Sequence, residues 1–533
     1  MQIVIAQCNF TVGAIAQNCR TIIETTQQAE KGAVVVFPEL AVTGYPPEDL
    51  LYRPDLYQRT EQALEAIAEA SLEHVIVVGH PWKEQDLTYN AASVFYQGAL
   101  LTRYFKQALP NYGVFDEQRY FKEGSESAIF EYQNKRIALL ICEDLWTDQP
   151  IAKLDGQAVD LLLSLNASPF NCEKQSEREA LLKKRSENHK LPIVYVNHVC
   201  GQDELVFDGG SFAVNRNSEL VCRLPVYQEK CQTIEFDADL ISSEINELPD
   251  SEEAEIYQAL VLATRDYVFK NGFKGAVLGL SGGIDSALTL AIAVDALGAD
   301  KVQAVMMPFK YTAQMSVEDA KEQAETLGIE FDIVSIEPMF NSFMQALDPL
   351  FKDTEADTTE ENLQARSRGV ILMALSNKKR RLVLTTGNKS EMAVGYCTLY
   401  GDMAGGFAPI KDVPKILAYR LAEYRNSLSP VIPQRVIDRP PSAELAPDQV
   451  DQDSLPDYDV LDAILEAYVE NDLSLTDIVS LGYDESIVRK VLRLVDINEY
   501  KRRQSAIGPK VTERNFGKDR RYPITSGFGR EHN

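Results

Sequence analysis

The nonapeptide Gly279-Leu280-Ser281-Gly282-Gly283-Ile284-Asp285-Ser286-Ala287 stands between an apolar run, Ala276 to Leu280, and a helical pattern, Ala287 to Leu297. A strand that feeds a helix through a glycine- and hydroxyl-rich turn confines the surrounding chain to an α/β arrangement with parallel strands. The same turn makes a phosphate cradle. Adjacent glycines let the backbone approach an anion, Ser281 and Ser286 donate hydroxyl hydrogens, and the helix offers its N-terminal amides and positive dipole end. It lacks the Gly-Lys-Ser/Thr ending of the Walker loop and the spacing of the dinucleotide fingerprint, so neither assignment fits. A ligand-free turn of the same composition is the plainer alternative.

Around this turn, strand patterns at Ala276 to Leu280, Val302 to Met307, Phe331 to Ile336 and Leu382 to Thr385 alternate with helical ones, which predicts a doubly wound parallel sheet. The acidic stretch Lys352 to Glu361 reads as a loop, either a lid or a plain connection. The first half has a different layout. Apolar runs at Val34 to Phe37, Val75 to Gly79, Ile137 to Cys142, Leu161 to Leu165 and Ile193 to Val196 read as buried strands, with helices at Gln58 to Ser71 and Ser176 to Asn188. The polar, acidic segment Asp237 to Glu253 separates the halves, and a helix is expected from Ala254 to Phe269. With 533 residues and 45% apolar content the chain exceeds one ordinary core, so domains are expected at 1–245 and 254–533.

No apolar run reaches membrane-span length, and Met1 to Ala6 enters a strand pattern without a basic leader, so the expected location is the cytoplasm. Eight scattered cysteines with no Cys-x-x-Cys pair predict reduced thiols rather than disulfides or a zinc knuckle. A net charge of −27 argues against a nucleic-acid partner. One basic cluster, Lys501, Arg502, Arg503, Lys510, Arg514, Lys518, Arg520 and Arg521, reads either as part of a nucleotide pocket or as a solvated tail.

Three runs of the first half end in a reactive side chain: Phe37-Pro38-Glu39, Tyr104-Phe105-Lys106 and Leu140-Ile141-Cys142. A carboxylate that takes a thiol proton, a thiolate that attacks an acyl carbon and an ammonium that steadies the oxyanion suffice for amide hydrolysis. Singly, each has an ordinary structural explanation: a buried Cys, a capping Glu, a surface Lys. Together with Lys106-Gln107-Ala108-Leu109-Pro110-Asn111-Tyr112, Phe115-Asp116-Glu117 and Cys142-Glu143-Asp144-Leu145-Trp146, they resemble the nitrilase superfamily and its glutaminase branch. The resemblance implies an αββα sandwich with Glu39 as general base, Lys106 at the tetrahedral intermediate and Cys142 as nucleophile. It further implies glutamine binding by Tyr45, Tyr112, Glu143, Ser168 and Arg178. His74, His80, His189 and His198 read as structural.

The turn that opens this section resembles the SGGxDS loop of ATP-dependent adenylating enzymes, whose domains are Rossmann-like parallel α/β ATP pyrophosphatases. Downstream lie Glu360-Glu361-Asn362-Leu363-Gln364-Ala365-Arg366-Ser367-Arg368, Thr385-Thr386-Gly387-Asn388-Lys389-Ser390-Glu391, Tyr400-Gly401-Asp402 and Arg439-Pro440-Pro441-Ser442-Ala443-Glu444-Leu445. Arg366 and Arg368 cannot share one helical face, so one is expected at a ligand and the other at a neighbour. These segments resemble the NAD synthetase family. The resemblance implies ATP contacts at Leu280, Ser281, Gly282, Gly283, Asp285, Ser286, Arg366 and Thr386. It implies deamido-NAD⁺ contacts at Asn362, Glu391, Asp402, Lys411 and Lys518, and Mg²⁺ at Asp285 and Glu391. The shorter, ammonia-using relatives have a longer turn between Gly387 and Glu391, which leaves Asn388 and Lys389 without an assigned role.

The two halves explain one another. Ammonia is mostly ammonium at neutral pH, so glutamine hydrolysis beside an adenylate delivers NH₃ where it reacts. The combination implies that ATP, deamido-NAD⁺, glutamine and water become AMP, pyrophosphate, NAD⁺ and glutamate, with a protected ammonia path and at least a homodimer. Two other readings stand beside it: a glutamine amidotransferase that adenylates another acid, and a non-catalytic first half attached to an ammonia-dependent synthetase.

Overall fold

In the computed structural model, residues 1–352, 354–441, 444–446, 451–453 and 455–526 are described. Their contacts divide the chain into two units, Met1–Pro249 and Asp250–Asn533.

The first unit is built on two six-stranded sheets. One contains β1 (Gln2–Gln7), β2 (Val34–Val36), β3 (Val75–Glu84), β4 (Leu87–Tyr96), β5 (Ala99–Phe105) and the late strand β14 (Lys230–Glu235), in the order β14-β1-β2-β3-β4-β5. The other is ordered β13-β12-β9-β8-β7-β6, from β6 (Ala128–Tyr132), β7 (Lys135–Ile141), β8 (Leu161–Asn166), β9 (Ile193–Asn197), β12 (Phe212–Val214) and β13 (Leu220–Arg223). A hairpin of β10 (Val199–Gln202) and β11 (Leu205–Asp208) stands apart. The period of two decides the layering. Ile3, Ile5, Val34, Val36, Val75 and Val77 share a core with Leu139, Leu163 and Val194 of the second sheet. Their alternates Val4, Ala6, Val35, Ile76 and Val78 pack with Ile22 of the helix Ile15–Gln28 and with Leu64 and Ile67 of the helix Pro54–Ala70. Leu182 of the helix Lys174–His189 belongs to the inter-sheet core cluster. The result is the αββα sandwich. The sequence pattern foretells the parallel runs but not β4, whose buried stretch Asn90-Ala91-Ala92-Ser93 is too small and polar to read as core.

The second unit carries four parallel strands, β15 (Ala276–Gly279), β16 (Val302–Met306), β17 (Glu330–Ile333) and β18 (Leu382–Leu384), ordered β17-β16-β15-β18. Strand order reverses between β15 and β18. At such a switch point the loops leaving adjacent strands diverge and open a crevice. The loop after β15 is the glycine-rich turn, which runs into the helix Ile284–Leu297, and the loop after β18 is Thr385 to Asn388. Beyond the sheet, Tyr458, Leu461, Ile464, Val488 and Leu492 form a helical core with Ala393 and Val394. The acidic stretch is only partly loop. The helix Thr358–Lys379 starts inside it, because Asp357 accepts from the Thr359 amide at 2.7 Å and closes a capping box with Glu360. Asp353 of that stretch, and Ser442 and Ala443 of the Arg439 to Leu445 segment, lie outside the described residues. Among the described residues no helix is long and apolar enough to cross a membrane.

Candidate active sites

Glu39, Lys106 and Cys142 follow β2, β5 and β7, and the fold brings them together. Glu39 and Lys106 are fully buried, with Lys106 Nζ 2.8 Å from Glu39 Oε1 and 2.9 Å from Glu117 Oε1. Burial opposes the ammonium charge, but Glu117 and Glu39 outweigh it and hold the Lys106 pKa above its usual value. Cys142 has φ +46°, a left-handed conformation that strands do not supply and that turns the thiol out of the sheet. Burial raises its pKa first; Glu39 adds to the rise, while Lys106 and the Ala167 amide oppose it. A buried thiol with a high pKa is no nucleophile until a base takes its proton, and Glu39 is the carboxylate at hand.

The residues expected to hold glutamine surround this set with different availability. The buried Tyr45 hydroxyl donates to Glu117 at 2.8 Å. Tyr112, 60% exposed, donates to both oxygens of Glu143 at 3.1 and 3.2 Å. Burial lifts the Glu143 pKa, with Lys106 and Lys174 among the charges that oppose it. Ser168 Oγ accepts from Arg178 Nε at 3.0 Å. Arg178 is fully buried, and its five N–H groups go to Ser168 Oγ, Ser168 O, Pro169 O, Asp208 and Gln175. No donor is left for a substrate carboxylate, so the structure makes Arg178 the brace of the Ser168 turn. At the Glu143 side Lys174 stands at the N-terminus of its helix, 4.3 Å from the Trp146 ring centre and paired with Glu177 at 2.8 Å.

In the second unit the switch-point crevice is a cavity of about 640 Å³. Ser281, Gly283, Asp285, Ser286, Asn362, Thr386, Glu391 and Asp402 line it, as expected from their motifs. Ser286 Oγ accepts from the Ser281 amide at 3.1 Å and Ser281 Oγ from the Gly283 amide at 3.2 Å, which curls the turn. Gly282 lines neither cavity of this unit. Its φ is +80°, and a Cβ there would meet Ser316 O at 2.3 Å, so glycine is required for packing. A second space of about 170 Å³ lies against Leu280, Val305, Met307 and Leu372 and shares Ser281, Arg368, Thr386 and Asp402 with the first.

Three expected residues are placed elsewhere. Arg366 is exposed and donates to Leu399 O at 3.2 Å; two residues along the helix, Arg368 reaches both cavities instead. Burial lowers the Arg368 pKa to about 10. Lys411 turns to Ala506 O at 2.8 Å, and the first residue of the next helix, Lys415, occupies the cavity wall. Lys518 lines neither cavity.

Asp285 and Glu391 converge, both on the Lys415 ammonium at 2.5 and 3.1 Å. Burial pushes the Glu391 carboxyl up to about 8, with Lys415 opposing and Asp285 and Asp451 adding. Among the described residues Asp451 Oδ1 has no hydrogen-bond partner, so the corner is richer in carboxylate oxygen than one ammonium satisfies. The basic C-terminal cluster is not a solvated tail. Arg502, Arg503 and Arg520 all grip Glu499, Arg514 pairs with Asp472, and Lys501 lines the cavity while donating to Gly395 O and Cys397 O.

Family models match both parts: carbon-nitrogen hydrolase over residues 2–244 and NAD synthase over 256–505. A glutamine-dependent NAD(+) synthetase of Acinetobacter baylyi is 53% identical over 99% of this chain and 98% of its own length; one of Aquifex aeolicus is 43% identical over 99% and 100%. The chain belongs to the glutamine-dependent NAD⁺ synthetase family. A solved member from Acinetobacter baumannii, in complex with adenosine diphosphate, covers 99% of both chains at 50% identity with a TM-score of 0.79.

Several residues escaped sequence reasoning. Glu117, quoted in the Phe115-Asp116-Glu117 segment but given no role, shares Lys106 with Glu39 from a single helical turn, Glu117–Arg119, too short for a periodic signal. Asp144 accepts from the Gln107, Ala108 and Ile141 amides and from Tyr104, tying the Lys106 loop to the Cys142 turn. Burial lifts its carboxyl to about 6. Lys415 and Asp451 reach the nucleotide-type cavity from segments without a motif, whereas Arg439 opens a segment quoted above and Lys501 belongs to the basic cluster.

Proposed function

We propose that the first unit releases ammonia from glutamine and that the second uses ATP to activate deamido-NAD⁺ for amidation by it. Glu39 takes the Cys142 thiol proton, and the thiolate attacks the carboxamide carbon. Lys106 steadies the oxyanion. The C–N bond breaks as Glu39 returns the proton to the leaving nitrogen, which leaves as NH₃ from a γ-glutamyl thioester. Water then gives a proton to Glu39 and its oxygen to the acyl carbon, releasing glutamate and the thiol. Glu143 with Tyr112 receives the substrate ammonium, Lys174 its carboxylate, and Tyr45 and Ser168 shape the pocket that Arg178 braces.

In the second unit the nicotinate carboxylate attacks the ATP α-phosphorus and pyrophosphate leaves. Ammonia then attacks the acyl carbon, a proton is lost, and AMP departs. Ser281, the Gly282-Gly283 backbone and Ser286 hold the pyrophosphate, and Leu280 and Thr386 flank the nucleoside beside the smaller apolar space. Arg368, Lys415 and Lys501 supply positive charge, and Asn362 and Asp402 meet the dinucleotide. Asp285 and Glu391 fit Mg²⁺, which takes one or two carboxylates beside phosphate oxygens, and the bound ion would neutralise phosphate charge. The adenosine diphosphate held by the Acinetobacter baumannii relative supports the ATP reading.

We further propose a homodimer. The outward face of the helix Thr358–Lys379 presents Arg366, Val370 and Met373 in register, with Val370 64% and Met373 40% exposed; Phe343 and Leu350 are also exposed. A second copy on that face would give Arg366 a place near the dinucleotide. Ammonia passes to the adenylate without release, so an ammonia-consuming enzyme should not suppress glutamine-driven synthesis. The eight free thiols support a cytoplasmic setting.

The meeting of Glu39 and Lys106 at 2.8 Å beside Cys142 carries the reading. Its test is AMP and NAD⁺ formation by wild type and Cys142→Ala, each given glutamine or ammonium. The variant should fail with glutamine and work with ammonium. No product from wild type with either nitrogen source would refute the synthetase reading.

A further inference from the structure

Asn90 is fully buried in β4 and belongs to none of the motifs discussed above. Its side-chain amide donates to Glu39 Oε1 at 2.7 Å, and its backbone carbonyl accepts from the Lys106 amide at 2.9 Å. Its own carbonyl, Oδ1, is buried without a hydrogen-bond partner among the described residues. An orphaned buried acceptor is a standing cost, and an amide that bears it is oriented for its donor. The reverse orientation would press Oδ1 against a carboxylate.

A carboxylate oxygen offers about two lone-pair sites. On Glu39, Oε1 already accepts from Lys106 Nζ at 2.8 Å and from Asn90. Among the described residues Oε2 accepts only from the Ala167 amide, at 2.9 Å. That same amide favours the Cys142 thiolate, which makes it a neighbour shared by Oε2 and the thiol.

We infer that Asn90 is a positioning residue that, with Lys106, saturates Glu39 Oε1 and so makes Oε2 the oxygen that exchanges the proton with Cys142 and then with the leaving nitrogen. This rests on the reading of Glu39 as the base. Without the Asn90 donor the carboxylate is free to rotate about its last bond, and the proton acceptor is no longer fixed against the thiol. Among the described residues the charged and titratable groups around Glu39 are Lys106, Glu117, Tyr45, Cys142 and the buried His198, whose Nε2 lies 2.6 Å from the Glu39 backbone carbonyl oxygen, and Asn90 is the neutral member of that ring.

The test compares Asn90→Asp and Asn90→Ala in the full chain. Asn90→Asp keeps the shape and puts a second carboxylate against Glu39. Glutamine-driven kcat should fall about 10- to 100-fold, the loss expected for one hydrogen bond to a charged group. KM for glutamine should hold within about twofold, and the acid limb of kcat/KM should move up by about one pH unit, as a like charge beside the base requires. Alkylation of Cys142 by iodoacetamide should show the same displaced limb without turnover. Asn90→Ala, which adds no charge, should lower kcat comparably and leave the limb within about half a unit. Ammonium-driven synthesis, unchanged in both, certifies the fold, and if Asn90→Asp does not fold, Asn90→Ala decides. Retention of glutamine-driven kcat within about threefold by the folded variants overturns the proposal, as does a lowered kcat in Asn90→Asp with an unmoved acid limb. Glu39→Gln run alongside separates the two readings: full glutamine-driven activity there refutes the base itself, whatever Asn90 does.

Discussion

Arg366 and Arg368 stand two positions apart, about 200° around a helix, so no rotation of the helix lets both face one cavity. The sequence says that one of them is outward; only the packing of Gly369 against the Tyr400 and Gly401 carbonyls says which. Arg368→Ala should lower kcat/KM for ATP about 10- to 100-fold in the ammonium-driven reaction, while Arg366→Ala leaves the KM for ATP within about threefold. Steady-state kinetics at varied ATP reads both. Gly282 teaches the same lesson. Paired glycines are legible as a cradle, but the close approach of Ser316 O is not, because Ser316 arrives from another helix. Gly282→Ala should abolish adenylation and leave basal glutamine hydrolysis intact, checked by pyrophosphate and glutamate release. The Glu39, Lys106 and Cys142 positions were legible because each ends an apolar run. Glu117, Asp144 and Asn90 were not, since a polar residue in a loop or amid small residues leaves no periodic trace.

At the scale of elements, β3 and the short helix Lys389–Val394 each bury a basic residue for a different reason. His80 on β3 is fully buried, with Nε2 2.7 Å from Ser93 Oγ and Nδ1 3.0 Å from Pro81 O. Burial, reinforced by the neighbouring Arg103, lowers its pKa to about 3. Between that value and the ordinary 6.5, the unfolded chain binds a proton that the folded chain refuses. The stability from keeping His80 neutral is therefore complete above pH 6.5 and is lost as pH falls toward 3, on the order of 4 kcal/mol in all. Denaturant unfolding between pH 7 and pH 4 should show a shallower decline in His80→Gln than in wild type. Lys389, left without a role by its segment, does not line the cavity. It binds Glu470 at 2.7 Å, Asp412 at 3.1 Å, Thr512 Oγ1 at 2.6 Å and Arg514 O at 2.9 Å, fastening the C-terminal segment to the loop after β18. Lys389→Met strands two buried carboxylates and should destabilise the second unit by about 3–5 kcal/mol, read by thermal unfolding with and without ATP.

For the molecule as a whole, sequence pattern conveys the α/β character of the chain, because strand runs and their spacing are local signals. Sheet order, the exposed face of the helix Thr358–Lys379 and the fate of the basic cluster are global outcomes of which segments meet, and no short window holds them. The exposed face has its own test. Val370→Asp should convert a dimer to monomers in sedimentation velocity and lower deamido-NAD⁺ turnover with it; an unchanged sedimentation coefficient would remove the proposed interface.

The first sheet closes with β14 against β1, Gln2 opposite Glu235, and the Met1 amine donates to Phe236 O at 2.8 Å. During synthesis, therefore, β1 leaves the ribosome well ahead of β14 and waits for nearly the whole of its unit before its outer edge is covered. Until then the nascent chain exposes an apolar strand edge, a template for wrong pairing with other chains. Pauses or truncations before Lys230 should give aggregated chains, whereas a stop after Pro249 leaves the edge sealed. The order of the sheet thus sets a point in translation before which the edge of β1 is open to wrong pairing and after which β14 covers it.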